Sequence, residues 1–258
     1  MRGADVSVGK QAFTEKQQSQ DRLYVFPYHY LDLVSDVHKF TYGYEHRSYL
    51  RCCKELLAPF NNQAILDVGC GDGRFLFELA NENARLFGVD HSEKAVEFAK
   101  CFCPTATFFA QDIKKLDSRN RFDSIVLIET FEHFIPAERP EIVKKIHELL
   151  QPNGKLIVTV PTTNVPLSKR HYEHFTAKTL EDAMRPFFKA EKITGHSKHL
   201  LNAVVFSNLV RIGLLLLPLR NLFGVRGYHD FLERFYVKYV EKGKPQECER
   251  LIAVFRKA

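Results

Sequence analysis

Three side chains that can bind a metal or move a proton lie close together in the stretch SIVLIETFEHFIP. Glu129, Glu132 and His133 directly follow the apolar run at 124–128, which predicts a buried strand. Carboxylates at the end of a buried strand need partners or a task, because removing a charge from water is costly. The pattern is compatible with a metal site, with proton transfer, or with a loop that these residues hold in place.

A later histidine could complete a metal site with this pattern. His174 follows in the stretch KRHYEHFT, and two carboxylates with two imidazoles suit Mg²⁺, Mn²⁺ or Zn²⁺. The predicted metal ligands are therefore Glu129, Glu132, His133 and His174. In the alternative interpretation no metal binds, and a neutral His133 or His174 removes a proton from a hydroxyl group near pH 7. His171 has the same open interpretations, as ligand, base or loop anchor.

A glycine-rich loop precedes this pattern in the chain. The stretch ILDVGCGDGRF places Gly69, Gly71 and Gly73 between a predicted strand and a predicted helix, where glycine allows a tight turn and close approach to a ligand. A dinucleotide-binding loop has a glycine at the position where this chain has Arg74. Asp67, in the strand before the loop, would repel a pyrophosphate and attract a cationic ligand. The spacing argues against a nicotinamide or flavin site; the alternative is a purely structural turn.

Two further aspartates end the next two predicted strands. Asp90 ends a strand in FGVDHS, and a carboxylate there can accept hydrogen bonds from both hydroxyl groups of a ribose. Asp112 ends a strand in FFAQDIKKL and could accept a hydrogen bond from an adenine amino group. Taken alone, each aspartate is also explained by a structural role, Asp90 as a helix cap and Asp112 in a turn.

Short apolar strands alternate with helices from about residue 61 and position these side chains. Strands are predicted at 64–70, 85–90, 106–112, 122–129, 155–161, 190–196 and 249–257. Helices are predicted at 44–57, 73–83, 92–102, 139–150 and 176–188. The alternation predicts a parallel sheet that helices cover on both faces. Ligands of such sheets bind beyond the carboxyl ends of the strands, where the residues above lie.

The chain resembles the class I S-adenosylmethionine-dependent methyltransferases in five motifs that occur in order: ILDVGCGDG, GVDHS, AQDI, FDSIVLIETFEHF and LLQPNGKLIVTVPT. The resemblance covers roughly residues 61–161 and is greatest to the small-molecule branch that includes the ubiquinone-biosynthesis O-methyltransferases. It implies an α/β fold with a Rossmann-like, seven-stranded, mostly parallel sheet, helices on both faces and an antiparallel last strand. The E-x-x-E-H pattern also resembles the small-RNA terminal ribose 2′-O-methyltransferases, in which such a stretch and a later histidine hold a catalytic divalent ion.

The resemblance implies S-adenosylmethionine as cofactor and a place for each of its parts. The loop at 67–73 would hold the methionine part, Asp90 the ribose, and Asp112 with the Ile113 backbone the adenine, while Glu129 would lie near the sulfonium. The implied cofactor-binding residues are Asp67, Gly69, Cys70, Gly71, Gly73, Asp90, His91, Asp112, Ile113 and Glu129. His133 and His174 are the predicted catalytic residues on the acceptor side.

The sequence predicts four parts in the chain. They are an N-terminal extension with a lid helix at 1–60, a methyltransferase core at 61–198, an apolar helical insertion at 199–245 and the last core strand at 246–258. The predicted function is S-adenosylmethionine-dependent methylation, with a hydroxyl group of a small or lipid-linked acceptor as the target. Two alternatives stay open: a metal-dependent RNA ribose 2′-O-methyltransferase, and a non-catalytic methyltransferase-like subunit that binds cofactor or a partner.

Composition narrows the partners and the compartment. The 258 residues carry a net charge of +6 without a dense Lys/Arg block, so a nucleic-acid partner is not indicated. Six cysteines without a C-x-x-C pair, and a polar N-terminus without the apolar segment of a signal peptide, predict a cytoplasmic location. About the first twenty residues are polar and predict disorder. The apolar segment at 209–223 predicts contact with a membrane surface.

Overall fold

A computed structural model describes residues 14–41, 43–117, 119, 121–199, 201–217 and 225–257. Within these residues an eight-stranded sheet has the strand order β3-β2-β1-β4-β5-β8-β6-β7. The strands are β1 (Gln63–Val68), β2 (Ala84–Asp90), β3 (Thr107–Ala110), β4 (Phe122–Ile128), β5 (Leu150–Pro161), β6 (Phe188–Lys198), β7 (Lys242–Gly243) and β8 (Cys248–Lys257). β1 to β6 share one direction, and β8 runs antiparallel between β5 and β6.

The fold class predicted from the sequence is confirmed. Each of the seven predicted strands falls on an observed strand, and the last one is antiparallel as expected. The two-residue strand β7, which pairs with Gly195 and His196 of β6, adds an eighth strand that no sequence pattern indicated.

The described helices surround this sheet, and three of them begin at a residue whose side chain caps the first turn. They are α1 (Glu15–Asp21), α2 (Leu31–Val34), α3 (Asp36–Thr41), α4 (Gly43–Leu57), α5 (Arg74–Glu78), α6 (Glu93–Phe102), α7 (Arg139–Leu149), α8 (Ala177–Met184), α9 (Leu201–Leu216) and α10 (Val225–Tyr239). Ser92 Oγ accepts a hydrogen bond from the Ala95 N–H at 3.2 Å and caps α6. α5 is shorter than predicted, because the chain tightens into turns at Leu79 and Ala80.

The prediction of disorder before residue 20 is wrong for the part that the structure describes. Thr14 Oγ1 accepts a hydrogen bond from the Gln17 N–H at 3.3 Å, and the Gln17 side chain accepts one from the Thr14 N–H at 2.9 Å. This capping box starts α1. Residues 1–13 lie outside the described residues.

The two faces of the sheet carry separate apolar cores, as in other parallel sheets. Successive residues of β1 point to opposite faces. Leu66 packs in one cluster with Ile146 of α7, whereas Ile65 packs in the other with Leu50 of α4 and Val96 of α6. Close packing on both faces fixes the strands and therefore the positions of their carboxyl ends.

The inserted helices α9 and α10 pack against α4 outside these two cores. The ring of Tyr44 in α4 lies 5.3 Å from that of Phe206 in α9 and 6.5 Å from that of Tyr236 in α10. Leu217 and Leu232 complete this third cluster. Among the described helices, none combines the length and the apolar character needed to cross a bilayer.

The strand order changes direction beside β1. The chain proceeds from β1 to β2 and β3 on one side, and through β4 to β5 on the other. At such a switch point the loops that follow neighbouring strands diverge and leave a crevice for a ligand. The predicted site residues other than His174 lie at or just after the carboxyl ends of β1, β2, β3 and β4, beside this crevice.

Candidate active site

A cavity of about 380 Å³ lies at the switch point, within the size range of small-molecule and cofactor pockets. Four aspartates line the part of it above β1, β2 and β3, here called the acidic end: Asp67, Asp72, Asp90 and Asp112. Four other side chains line the part beyond β4 and β5, here called the histidine end: Glu132, His133, Arg170 and His171. Glu129 at the end of β4 also lines the cavity.

The glycine loop after β1 allows close approach at the acidic end. Gly69, Gly71 and Gly73 have φ angles of 75°, 53° and 81°, in the left-handed region that favours glycine. A Cβ atom on Gly69 would lie only 2.3 Å from Thr130 Cγ2 in the loop after β4. Cys70 is buried beside them. The glycines thus keep the two loops of the switch point close without filling the space between them.

Asp90 at the end of β2 joins two loops and still faces the cavity. Its Oδ2 accepts a hydrogen bond from the Gly71 N–H at 3.0 Å, and its Oδ1 accepts one from the Ser92 N–H at 2.8 Å. His91 Nδ1 lies 3.5 Å from the same Oδ1, and His91 also lines the cavity. Because a carboxylate has about four acceptor positions, Asp90 can accept two further hydrogen bonds from a ligand.

The other two predicted aspartates border the same end. Asp67 is buried, and its burial, with a smaller contribution from the charge of Asp90, raises the pKa of Asp67 to about 8. A cation bound beside Asp67 would favour its ionised form. Asp112 accepts a hydrogen bond from the Lys114 N–H at 2.9 Å, which starts the short turn that carries the buried Ile113.

The acidic end offers carboxylates to a ligand rather than cations. Arg74, the basic residue of the glycine loop, donates hydrogen bonds to Asp32 at 3.2 Å and to Glu78 at 2.9 Å. The positive charge of Arg74 is therefore neutralised by acidic residues of the protein itself. This set of residues fits a nucleoside with a positive charge and does not fit a dinucleotide with a pyrophosphate.

Glu129 is held by protein partners in a strained conformation. Its φ of 50° is rare for a residue other than glycine, and such strain is common at functional sites. Thr159 Oγ1 donates a hydrogen bond to one carboxylate oxygen at 3.0 Å, and Arg250 Nε donates to the other at 2.9 Å. Burial raises the pKa of Glu129, whereas the Thr159 hydroxyl lowers it. Both oxygens are thus occupied by neighbouring side chains.

The histidine end brings together three groups that can bind a metal or a proton. One ligand atom from each of Glu132, His133 and His171 lies within 4.8 Å of the others. Of the predicted ligands, Glu129 and His174 are not in this group, which His171 joins instead. His174 stands behind His171, with its Nε2 2.8 Å from His171 Nδ1, and borders a second cavity of about 260 Å³ that shares Glu129 and His171 with the first.

Hydrogen bonds to carbonyl oxygens assign the histidine tautomers. His174 Nδ1 lies 3.1 Å from the Val165 oxygen and His133 Nδ1 lies 3.3 Å from the Arg170 oxygen. A carbonyl only accepts, so both Nδ1 atoms carry a proton. A neutral His174 then accepts at Nε2 from His171 Nδ1. The assignment leaves Nε2 of both His133 and His171 as bare acceptors.

These two imidazoles are neutral at pH 7. Burial, with a contribution from the charge of Arg170, lowers the pKa of His133 to about 4. Burial, followed by the charges of His133 and His174, lowers the pKa of His171 to about 3. Both rings are therefore uncharged at pH 7 and can accept a hydrogen bond from a hydroxyl group.

Glu132 is fully buried, and neither of its carboxylate oxygens has a hydrogen-bond partner among the described residues. Burial and the charge of Glu129 raise its pKa well above the ordinary value. An unpartnered buried carboxylate beside two bare imidazole nitrogens is a donor set that a divalent ion fits.

Helix α1 lies across the cavity. Asp21 at its end accepts hydrogen bonds from Ser92 Oγ at 2.6 Å and from Lys94 Nζ at 2.9 Å, next to the acidic end. Lys16 at its start donates to the His171 carbonyl and lies 4.5 Å above the ring of Tyr172, next to the histidine end. α1 thus connects the loops that border both ends.

The chain is similar over part of its length to known methyltransferases. Residues 65–154 match the family described as "Methyltransferase domain".

The chain contains a methyltransferase domain.

The relatives of this methyltransferase domain include two named ubiquinone biosynthesis O-methyltransferases. The one from Bradyrhizobium diazoefficiens is 28% identical over 104 residues, which is 39% of this chain and 40% of that protein. The one from Coxiella burnetii is 34% identical over 105 residues, which is 39% of this chain and 44% of that protein. The matches span between 40% and 61% of the length of the first curated relatives.

Solved structures share the fold over nearly the whole chain. The N-methyltransferase NodS from Bradyrhizobium japonicum WM9, in complex with S-adenosyl-l-homocysteine, has a TM-score of 0.60 at 14% identity and covers 95% of this chain and 99% of that chain. Magnesium protoporphyrin IX methyltransferase from Synechocystis PCC 6803 with bound SAM has a TM-score of 0.57 at 16% identity, covering 96% and 99%. The methyltransferase domain therefore has the fold of S-adenosylmethionine-dependent methyltransferases.

Proposed function

We propose that this chain is an S-adenosylmethionine-dependent methyltransferase that methylates a hydroxyl group of a small or lipid-linked acceptor. The observation that carries the proposal is the presence of an acidic end and a histidine end in one cavity at the switch point. The methyltransferase domain and the cofactor-bound neighbours support the cofactor, and the O-methyltransferase relatives support a hydroxyl acceptor. They give no support to RNA ribose methylation or to a role in binding alone.

The acidic end has the groups needed to hold this cofactor. S-adenosylmethionine supplies a methyl group on a positively charged sulfur. Asp90 has acceptor positions for the two ribose hydroxyl groups, and the turn at Asp112 and Ile113 would contact the adenine. Asp67 can bind the ammonium group of the methionine part. The protein mainly contributes proximity and alignment of the methyl carbon with the acceptor.

The histidine end has the groups needed to remove the acceptor proton. His133 and His171 present bare Nε2 atoms to the cavity and are neutral at pH 7. A proton taken up by His171 is stabilised through its hydrogen bond to His174, which in turn donates to the Val165 carbonyl. His174 thus positions His171 and is not itself in the main cavity. General-base catalysis of this kind contributes about 10²-fold to 10⁴-fold in rate.

A divalent metal ion is a second candidate for activating the hydroxyl group. Glu132, His133 and His171 would hold it, and a bound ion lowers the pKa of a coordinated hydroxyl. Equilibrium dialysis against Mn²⁺ tests the site without relying on turnover. We expect the native chain to retain the ion and the variant Glu132→Gln to lose it; equal retention by both contradicts the site.

Contact with a membrane surface would bring the enzyme to a lipid-linked acceptor. The outward face of α9 exposes Val204, Ile212 and Leu215, by 57%, 47% and 77%, and carries Arg211 with no acidic residue. The segment 199–245 holds seven basic and three acidic residues, a net +4 out of the +6 of the chain. An apolar face among basic residues fits an anionic lipid surface. Residues 218–223 of the segment predicted from the sequence, 209–223, lie outside the described residues.

Formation of S-adenosylhomocysteine tests the proposed reaction. The native chain is incubated with S-adenosylmethionine and catechols, phenols, sugars or, for comparison, primary amines. We expect product with hydroxyl acceptors, and a loss of at least about 100-fold in the double variant His133→Ala/His171→Ala. Methylation of amines alone, or equal rates in the native chain and the double variant, would contradict O-methylation by these histidines.

A further inference from the structure

Three arginines line the main cavity, and one of them has no counter-ion. Arg74 is bound by Asp32 and Glu78, and Arg250 by Glu129 and Glu45. Arg170 is half-buried at the histidine end. Among the described residues, no hydrogen-bond or ion-pair partner is found for its guanidinium group.

The backbone around Arg170 is fixed, although its side chain is unpaired. Its carbonyl accepts the hydrogen bond from His133 Nδ1, and its N–H donates to Ser168 Oγ at 3.3 Å. Its side chain lines the same end of the cavity as the side chains of His133 and His171. A half-buried cation therefore lies at the same end of the cavity as the two imidazoles that face the acceptor.

The acidic residues around Arg170 do not neutralise it. Glu129 is bound by Arg250, and Glu173 is bound by Arg139. Glu132 is fully buried, and neither of its carboxylate oxygens bonds to Arg170 or to any other described residue. The positive charge at the histidine end is therefore available to a ligand, whereas the positive charge of Arg74 at the acidic end is bound by Asp32 and Glu78.

We propose that Arg170 binds an anionic group of the acceptor, a carboxylate or a phosphate, close to the hydroxyl that is methylated. The guanidinium presents paired N–H donors whose spacing matches these oxyanions. The proposal deepens the proposed function, on which it rests, because it gives the chemical class of the acceptor. Under this proposal the acidic end binds the positively charged cofactor, and the histidine end binds the negatively charged group of the acceptor.

Isothermal titration with three matched aromatic probes tests the proposal. Catechol, 3,4-dihydroxybenzoate and 3,4-dihydroxyphenyl phosphate differ only in a neutral, carboxylate or phosphate substituent. They are titrated into the native chain, Arg170→Gln and Lys169→Gln, in phosphate-free buffer, with and without S-adenosylhomocysteine. Lys169→Gln is the matched control, since Lys169 is the exposed neighbour with the same charge and does not line the cavity.

We expect at least one anionic probe to bind about 10-fold to 100-fold more tightly than catechol to the native chain and to Lys169→Gln. The preference should disappear in Arg170→Gln, with catechol binding unchanged. The anionic probe with the higher affinity relative to catechol indicates whether the acceptor carries a carboxylate or a phosphate. A native chain that binds all three probes equally or not at all, or a preference that survives in Arg170→Gln, overturns the proposal.

The proposal and the proposed function can fail separately. If S-adenosylhomocysteine does not bind, the proposed function fails, while the anion preference is still read from the titrations without it. If S-adenosylhomocysteine binds and catechols are methylated, but Arg170→Gln keeps the native KM for anionic acceptors, only the role of Arg170 fails.

Discussion

The acidic end and the histidine end of the cavity are built in different ways. Asp67, Asp90 and Asp112 come at or just after the carboxyl ends of three parallel strands, within residues 67–112. The histidine end combines a short turn after β4 with the loop after β5. Lys16 of α1 donates a hydrogen bond to the His171 carbonyl in that loop. Strand ends in a packed core share one rigid support, whereas loops change with fewer constraints. The comparison indicates that the fold fixes the cofactor position and that the loops determine the acceptor.

The largest effect is expected from His171→Ala, which should lower turnover without changing the binding of the cofactor at the acidic end. Losing a neutral base that touches the acceptor should lower kcat by about 10²-fold to 10⁴-fold, while the KM for S-adenosylmethionine stays within about threefold. Steady-state kinetics with the best hydroxyl acceptor measures both. His199→Ala is the matched control, because His199 is an exposed histidine away from the cavity. A kcat in His171→Ala equal to that of His199→Ala would remove the histidine end from the mechanism.

A smaller effect is expected from Asp67→Asn. This variant should be more stable than the native chain at high pH but should bind the cofactor product more weakly. The folded protein raises the pKa of Asp67 to about 8 from the ordinary aspartate value of 3.8, so the free energy of unfolding falls as pH rises from about 4 to about 8. Asparagine does not ionise. The Tm of the Asp67→Asn variant should therefore match the native Tm near pH 4 and exceed it by roughly 4 °C or more at pH 8.

The same variant should bind S-adenosylhomocysteine at least about tenfold more weakly at pH 8, because the carboxylate that pairs with the ammonium is missing. Thermal melts from pH 4 to 8 measure the change in stability, and a titration at pH 8 measures the change in affinity for S-adenosylhomocysteine. A variant that is less stable than the native chain at every pH contradicts the account of Asp67.

The smallest effect is expected at the apolar face of α9, since no described residue of this helix lines the cavity. Ile212→Glu and Leu215→Glu should reduce flotation with vesicles that contain anionic lipid by several-fold, because each replaces an exposed apolar contact by a charge that the lipid repels. Val25→Glu is the control, since Val25 is 81% exposed on another part of the surface. Turnover of a water-soluble acceptor should stay unchanged. Equal flotation of all three variants and the native chain would exclude this face as a membrane contact.

The acidic end could be predicted from the sequence because its signals are local. A strand, a glycine loop and a terminal aspartate are adjacent in the chain, and parallel strands bring their carboxyl ends to one edge. The structure places Asp67, Asp90 and Asp112 on one cavity for this reason. The alternation of strands and helices predicted the parallel sheet, and the family resemblance implied its antiparallel last strand; both are confirmed.

The histidine end could be predicted only in part. Glu132 and His133 follow β4 directly, but the path of the loop after β5 decides that His171 rather than His174 reaches the main cavity. No periodic pattern encodes that path. The ion pair between Arg250 and Glu129 joins residues 121 positions apart, and no local signal in the sequence indicates it.

Isothermal titration of S-adenosylhomocysteine into the native chain, Asp90→Asn and His171→Ala tests the division of the cavity most directly. We expect one binding site in the native chain and an affinity in His171→Ala within about threefold of native. The affinity in Asp90→Asn should be at least about tenfold weaker, because a carboxylate that accepts from both ribose hydroxyl groups is lost. No binding to the native chain, or an equal loss in both variants, would contradict this division.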